Sequence, residues 1–326
     1  MPHRGGRARF KERSFHRWLA GRFGADRGLA LPLGDDAAGV AVGGHRVALL
    51  TTDAFVEGVH FLPRSPPRAV GAAVVGASLS DLAAKGAAPA ALLLDVLVPP
   101  STPEAWARAL VLGAARRLAA FGARLVGGDT KPSATRTVVG TLLGWGDDRY
   151  LAPRSAAWAG DLLVTTGTMG RGAIAARRLP AGRRGSARAM EELLRIEPRV
   201  VEGRLLAQRA HAMLDTSDGL AESAHLLAEA SRVRVALDAE RLPLARGLSR
   251  PGSRGGTEAF FGGDYELLAA IAPKDFAPLR RALAGVGTAL TVVGRVERGR
   301  GAILRAEGGA FALPRAGWDP FGEHTS

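Results

Sequence analysis

Arg46-Val-Ala-Leu-Leu-Thr-Thr-Asp-Ala-Phe-Val-Glu-Gly-Val-His-Phe61 opens as an apolar run with strand character and closes in polar residues. The spacing predicts a strand that ends at Thr51, Thr52 and Asp53, a turn through Glu57-Gly58, and His60 presented beyond it. Hydroxyls and a carboxylate at a strand's end suit a hard cation, because Mg²⁺ takes oxygen ligands and bridges carboxylates to phosphates. Taken alone, the stretch reads equally well as an ordinary strand-to-turn exit, where Asp and Thr satisfy their own backbone.

Similar turns recur along the chain. They are Gly34-Asp35-Asp36, Ser80-Asp81, Gly128-Asp129-Thr130, Asp215-Thr216-Ser217-Asp218 and Gly263-Asp264. Each by itself is common turn or capping chemistry. Gathered at one site, such carboxylates repel unless cations neutralise them, and cations held there would neutralise phosphates in turn. Glycines beside them allow backbone N–H groups to approach phosphate oxygens. The combination points to phosphoryl transfer, which depends mainly on positioning and charge neutralisation.

Length and composition set the outer bounds. With 326 residues, 47% hydrophobic and 23% charged, the chain is expected to be soluble and to divide into two domains. No apolar run reaches the roughly 18 residues of a membrane helix. The basic N-terminus lacks an apolar segment after it, and the expected location is cytoplasmic. Zero cysteines exclude disulfides, thiolate catalysis and Cys-ligated zinc. The net charge of +13 raises nucleic-acid binding, but only four of the 44 basic residues are Lys and the arginines are scattered without aromatic platforms. A solvated basic surface is preferred, with no nucleic-acid or membrane partner.

The remaining pattern alternates strands and helices. Residues 1–13 read as a basic flexible extension, and a helix follows over Phe15–Phe23. Further helices are expected from Pro67 to Gly86, from Ser101 to Gly122 and from Ala221 to Ala230. Strands are expected at 92–98, 124–126, 135–145, 161–166, 233–238, 265–271 and 290–296. The turn at Gly146-Asp147-Asp148 is the candidate boundary between residues 14–147 and 148–326, and Arg177–Arg188 reads as a surface loop. Walker and dinucleotide glycine motifs, a zinc-type histidine pair and a Gly-x-Ser-x-Gly elbow are all missing.

Six motifs in order, Gly34-Asp-Asp-Ala-Ala38, Thr51–Phe61, Leu79-Ser-Asp-Leu-Ala-Ala-Lys-Gly-Ala87, Gly127-Gly-Asp-Thr130, Asp215-Thr-Ser-Asp-Gly-Leu220 and Asp264-Tyr-Glu-Leu267, resemble those of thiamine-monophosphate kinases. The resemblance covers about Phe15 to Phe321 and extends to the aminoimidazole ribonucleotide synthetase superfamily. It implies an α/β (α+β) fold of two domains, the N-terminal sheet domain binding ATP and Mg²⁺ and joining a homodimer. It also implies transfer of the ATP γ-phosphate to thiamine monophosphate, in line, with several Mg²⁺ ions and no covalent or acid–base residue. By motif, Asp36, Thr51, Thr52, Asp53, Asp81, Asp129, Asp215 and Asp218 are expected metal ligands; Gly128, Asp129, Arg154 and Ser217 face ATP; His60 and Trp318 face the thiamine moiety. Gly263 stands where the family has a substrate-contacting Glu, which keeps two alternatives open: another acceptor, or a non-catalytic nucleotide- or thiamine-phosphate-binding paralogue.

Overall fold

In the computed structural model, which describes residues 10–24, 28–179, 186–252 and 256–318, the chain forms two mixed sheets. The first is built from β1 (Leu29–Leu31), β2 (Ala38–Gly43), β3 (Arg46–Val56), β4 (Ala88–Val98), β5 (Arg124–Gly127), β6 (Thr130–Pro132) and β7 (Thr137–Asp147). Their order is β1-β2-β3-β7-β4-β5, with β6 also pairing β4. Three helices accompany it: α1 (Glu12–Phe23), α2 (Pro67–Ala83) and α3 (Glu104–Ala119). The α/β arrangement expected from the alternating strands and helices is therefore present.

The expected strand exit at Thr51–Asp53 is in fact mid-strand. β3 stays paired with β7 from Arg46↔Asp147 to Val56↔Thr137. Thr, Phe and Val favour the pleated backbone, and Asp53 needs no turn because it lies opposite Gly140 and takes a hydrogen bond from Ser78. Alternation then sorts the stretch onto two faces. Val47, Leu49, Thr51 and Phe55 are buried under α2, whereas Leu50 and Thr52 are exposed on the other face.

β2 escaped the sequence reading because Ala38-Gly-Val-Ala-Val-Gly43 offers few bulky apolar residues. The extension expected over 1–13 ends earlier than its charge pattern suggests. Helix α1 begins at Glu12, and Arg13 pairs with Glu222 of the second half at 2.7 Å. Residues 1–9 lie outside the described residues.

The second sheet contains β8 (Leu162–Thr166), β9 (Ala210–Asp215), β10 (Arg234–Asp238), β11 (Leu267–Ile271), β12 (Leu290–Glu297), β13 (Gly301–Ala306) and β14 (Gly309–Ala312). Its order is β14-β13-β10-β12-β8-β11-β9. Helices α4 (Arg171–Ala176), α5 (Ser186–Leu194), α6 (Val200–Ala207), α7 (Leu220–Ser231) and α8 (Phe276–Gly285) surround it. The loop expected over Arg177–Arg188 is interrupted by α5 at Ser186, and residues 180–185 lie outside the described residues.

α2 holds the halves together. Twelve of its 17 residues are buried, and it touches β3, β7, α3, α5, α6 and β9. Gly71 allows the α3 backbone to approach so closely that a Cβ there would meet Leu110 O at 2.0 Å. One apolar cluster runs from Leu49 and Leu92 through Val74 to Met213 and Ile271, and a second packs α7 on the far face of the second sheet. Among the described residues no helix is long and apolar enough to cross a membrane.

Candidate active site

Four segments converge on one group of acids. β3 contributes Thr51 and Asp53 from its helix-covered face, and α2 contributes Ser78, Ser80 and Asp81 near its C-terminus. Asp35 and Asp36 enter on the loop before β2, while β9 ends at Asp215 and its exit turn leads into α7. Carboxylate oxygens of Asp36, Asp81 and Asp215 lie within 4.8 Å of one another.

Hydroxyls hold several of these acids. Thr51 Oγ1 donates to Asp81, and Ser78 Oγ donates to Asp53 at 2.8 Å. Asp215 accepts from Ser80 Oγ at 2.7 Å and Ser217 Oγ at 2.8 Å. Neutral donors offset burial only in part. Burial, with Asp215 nearby, lifts Asp53 to about 6 and Asp218 to about 7. Burial and neighbouring acids likewise raise Asp81 and Asp215. Asp36 behaves oppositely: burial alone would raise it, but Arg154 and Lys85 hold it at about 2. The donors are oxygen, closely spaced and electrostatically frustrated without counter-cations, which fits Mg²⁺.

Two cavities flank the group. The first, about 480 Å³, is largely apolar, with Phe55, His60, Tyr265, Phe261 and Trp318 on its wall. The second, about 650 Å³, is lined by Arg154, the Gly34–Ala38 loop and α1. Asp81, Asp215, Ser217, Asp218 and Trp318 face both. The carboxylates thus stand between two compartments of different character.

In the first cavity the Trp318 ring lies 6.0 Å from Phe261 and 6.5 Å from His60, centroid to centroid. The Trp318 backbone N–H donates to Asp218 O at 3.1 Å, which fixes the C-terminal segment against the turn before α7. His60 Nδ1 accepts the Val56 N–H at 3.1 Å, placing the ring proton on Nε2, and burial lowers its pKa. The ring is therefore a neutral donor near pH 7. Gly263 also lines this cavity at φ +92°, a backbone that disfavours any side chain even though a Cβ would meet only Gly172 Cα, at 3.5 Å, and Leu193 Cδ2, at 3.8 Å.

Not every expected residue joins the group. The Thr52 hydroxyl lies on the opposite face of the sheet, 3.1 Å from that of Thr141. Gly128 and Asp129 occupy the turn between β5 and β6, beyond β7 and β4. Asp129 is exposed there and pairs with Lys131 at 2.6 Å. A side chain at Gly128 would collide with Leu94 O at 1.9 Å, so the glycine serves the close approach to β4. Asp264 accepts the Gly170 and Gly172 N–H groups at 2.5 and 3.1 Å, so these two glycines are committed to a protein carboxylate rather than to phosphate.

The sequence reading holds Asp35, Ser80, Lys85 and Tyr265 within its motifs without a role for any of them, and leaves out Ser78. Two serines just before Asp81 in an otherwise apolar helix were a usable signal. Tyr265, at φ +54°, stands inside the Asp264–Leu267 motif.

Against known families, residues 34–145 match the AIR synthase related protein, N-terminal domain, and residues 159–307 match the AIR synthase related protein, C-terminal domain. The thiamine-monophosphate kinase of Halobacterium salinarum is 39% identical over 286 residues, covering 87% of this chain and 94% of that protein. The chain belongs to the thiamine-monophosphate kinase family. Among solved structures, AaThiL complexed with AMPPCP and TMP superposes with a TM-score of 0.79 at 26% identity, covering 94% of this chain and 96% of the other. The tt0281 protein of Thermus thermophilus gives 0.80 at 32% identity, covering 94% and 98%. The two-domain fold expected of that family is the fold found.

Proposed function

We propose that the protein transfers the γ-phosphate of ATP to thiamine monophosphate, releasing thiamine diphosphate and ADP. The observation that carries this reading is the carboxylate group shared by an aromatic cavity and an arginine-lined one. An oxygen of the acceptor phosphate attacks the γ-phosphorus in line, and the bond to the ADP oxygen breaks. The aromatic cavity suits a thiazolium, whose positive charge is attracted to the ring faces of Trp318 and its neighbours. Neutral His60 offers an Nε2–H to the acceptor without repelling that charge. The solved complex of AaThiL with AMPPCP and TMP supports two-ligand binding in this fold.

Asp36, Asp53, Asp81, Asp215, Asp218 and Thr51 are assigned to hold Mg²⁺, with Thr52 joining them from the wall of the second cavity. When bound, the metal neutralises phosphate charge as it shifts between acceptor and leaving group. Arg154 and Ser217 address the nucleotide phosphates from the second cavity. Gly128 and Asp129 are assigned as an outlying nucleotide contact, and an Asp129→Asn variant with unchanged ATP affinity would remove them from the site.

A homodimer joined through the first sheet is part of the same reading. Val40, Leu50, Leu93, Val126 and Trp145 are exposed large apolar residues on the face that α2 and α3 leave open. Gly263 motivates a second reading with a different phosphate acceptor.

The deciding experiment incubates purified protein with ATP, Mg²⁺ and thiamine monophosphate and separates the products chromatographically. Thiamine diphosphate and ADP in equal amounts are expected. ADP released only with another acceptor would replace the substrate, and ligand binding without turnover would leave a binding protein.

A further inference from the structure

Lys85, two residues beyond α2, is completely buried. Its Nζ is surrounded by four oxygens: Asp35 Oδ1 at 2.5 Å, Met213 O at 2.7 Å, Asp36 Oδ2 at 2.8 Å and Ala152 O at 3.0 Å. An ammonium has three N–H bonds, so four acceptors enclose it as ligands enclose a spherical ion. Met213 precedes Asp215 by two residues on β9, and Ala152 precedes Arg154 by two in the connection between the sheets. The cage therefore draws together the Asp35–Asp36 loop, the β9 end and the Arg154 loop. Each of them carries a residue of the candidate site.

We propose that Lys85 is a built-in monovalent cation. Its ammonium fills an oxygen cage that would otherwise take K⁺ or NH₄⁺, and by filling it positions Asp36, Arg154 and Asp215 without any added monovalent ion. All four oxygens stand farther from Nζ than the roughly 2.1 Å that Mg²⁺ requires, so the cage is distinct in kind from the acid group beside it. Two buried carboxylates make the cage costly to leave empty, because Arg154 alone cannot pair with both as closely. The proposal uses the candidate site's geometry but does not depend on which acceptor is phosphorylated.

The test compares native protein, Lys85→Ala and Lys85→Met in potassium, ammonium and tetramethylammonium chlorides at equal ionic strength and saturating Mg²⁺. Melting temperature and ATP turnover are both read. The native protein is expected to be indifferent to the salt. Lys85→Ala in tetramethylammonium should melt lower and turn over about 10–100-fold more slowly. K⁺ or NH₄⁺ should raise its melting temperature by at least about 3 °C and recover turnover. Lys85→Met, whose uncharged chain plugs the cage, should be impaired in every salt. The proposal fails if Lys85→Ala is equally impaired or unfolded in all three salts, if Mg²⁺ alone restores it, or if native protein itself requires K⁺. Because melting is independent of substrate, a wrong acceptor would leave this result readable.

Discussion

Asp53 and Trp318 perform separable tasks and should fail separately. Asp53 lies in the acid group with Ser78 donating to it, so Asn can keep that hydrogen bond while losing the charge. Asp53→Asn is expected to lower kcat by about 10²–10³-fold with the melting temperature of the metal-free protein preserved or raised. Trp318→Ala removes a ring from the acceptor wall, and KM for thiamine monophosphate should rise about 2- to 30-fold with the KM for ATP unchanged. Steady-state kinetics with each substrate varied checks both. A Trp318→Ala effect on ATP alone would assign the ring to the nucleotide rather than to the acceptor. At this scale the acids were readable, because Asp beside Gly, Ser or Thr is chemically conspicuous. Lys85 was not, since its acceptors Ala152 and Met213 lie 67 and 128 positions away and are main-chain carbonyls of apolar residues.

β3 shows what a strand adds to its residues. Alternation sends Thr51 and Asp53 to the helix side and the Thr52 hydroxyl to the open side, although Thr51 and Thr52 both line the second cavity. Reading Thr51–Asp53 as a strand exit placed all three together; the full pairing with β7 separates them. The open side carries the element-scale prediction. Leu93, 47% exposed on β4, is apolar on the face of the sheet opposite α2. Leu93→Arg is expected to weaken self-association at least about tenfold by sedimentation, while leaving the fold intact. Native protein that remains monomeric at tens of micromolar would remove the dimer.

For the whole molecule, the buried acids couple stability to pH and metal. A carboxyl with a raised folded pKa retains its proton in the folded state after the unfolded chain has lost it. Folding is thus favoured below that range and loses stability as pH rises through it. Asp53 at about 6 and Asp218 at about 7 place the window between about pH 4 and 7. The loss is on the order of 3 kcal/mol for Asp53 alone. With EDTA the melting temperature should fall between about pH 4 and 7, and the stabilisation by Mg²⁺ should grow over the same interval. A Mg²⁺ increment independent of pH would mean that these acids do not hold the ion.

The sequence by itself determined the layered α/β pattern, the oxygen-rich chemistry and the family, because apolar periodicity and Asp-bearing motifs are local properties of the chain. Tertiary structure alone decided which acids meet, that Asp129 stands apart, and that Lys85 has a cage. Those outcomes depend on α2 packing against both sheets and on which face of β3 each side chain takes. Both are set by long-range contacts that no stretch of sequence contains.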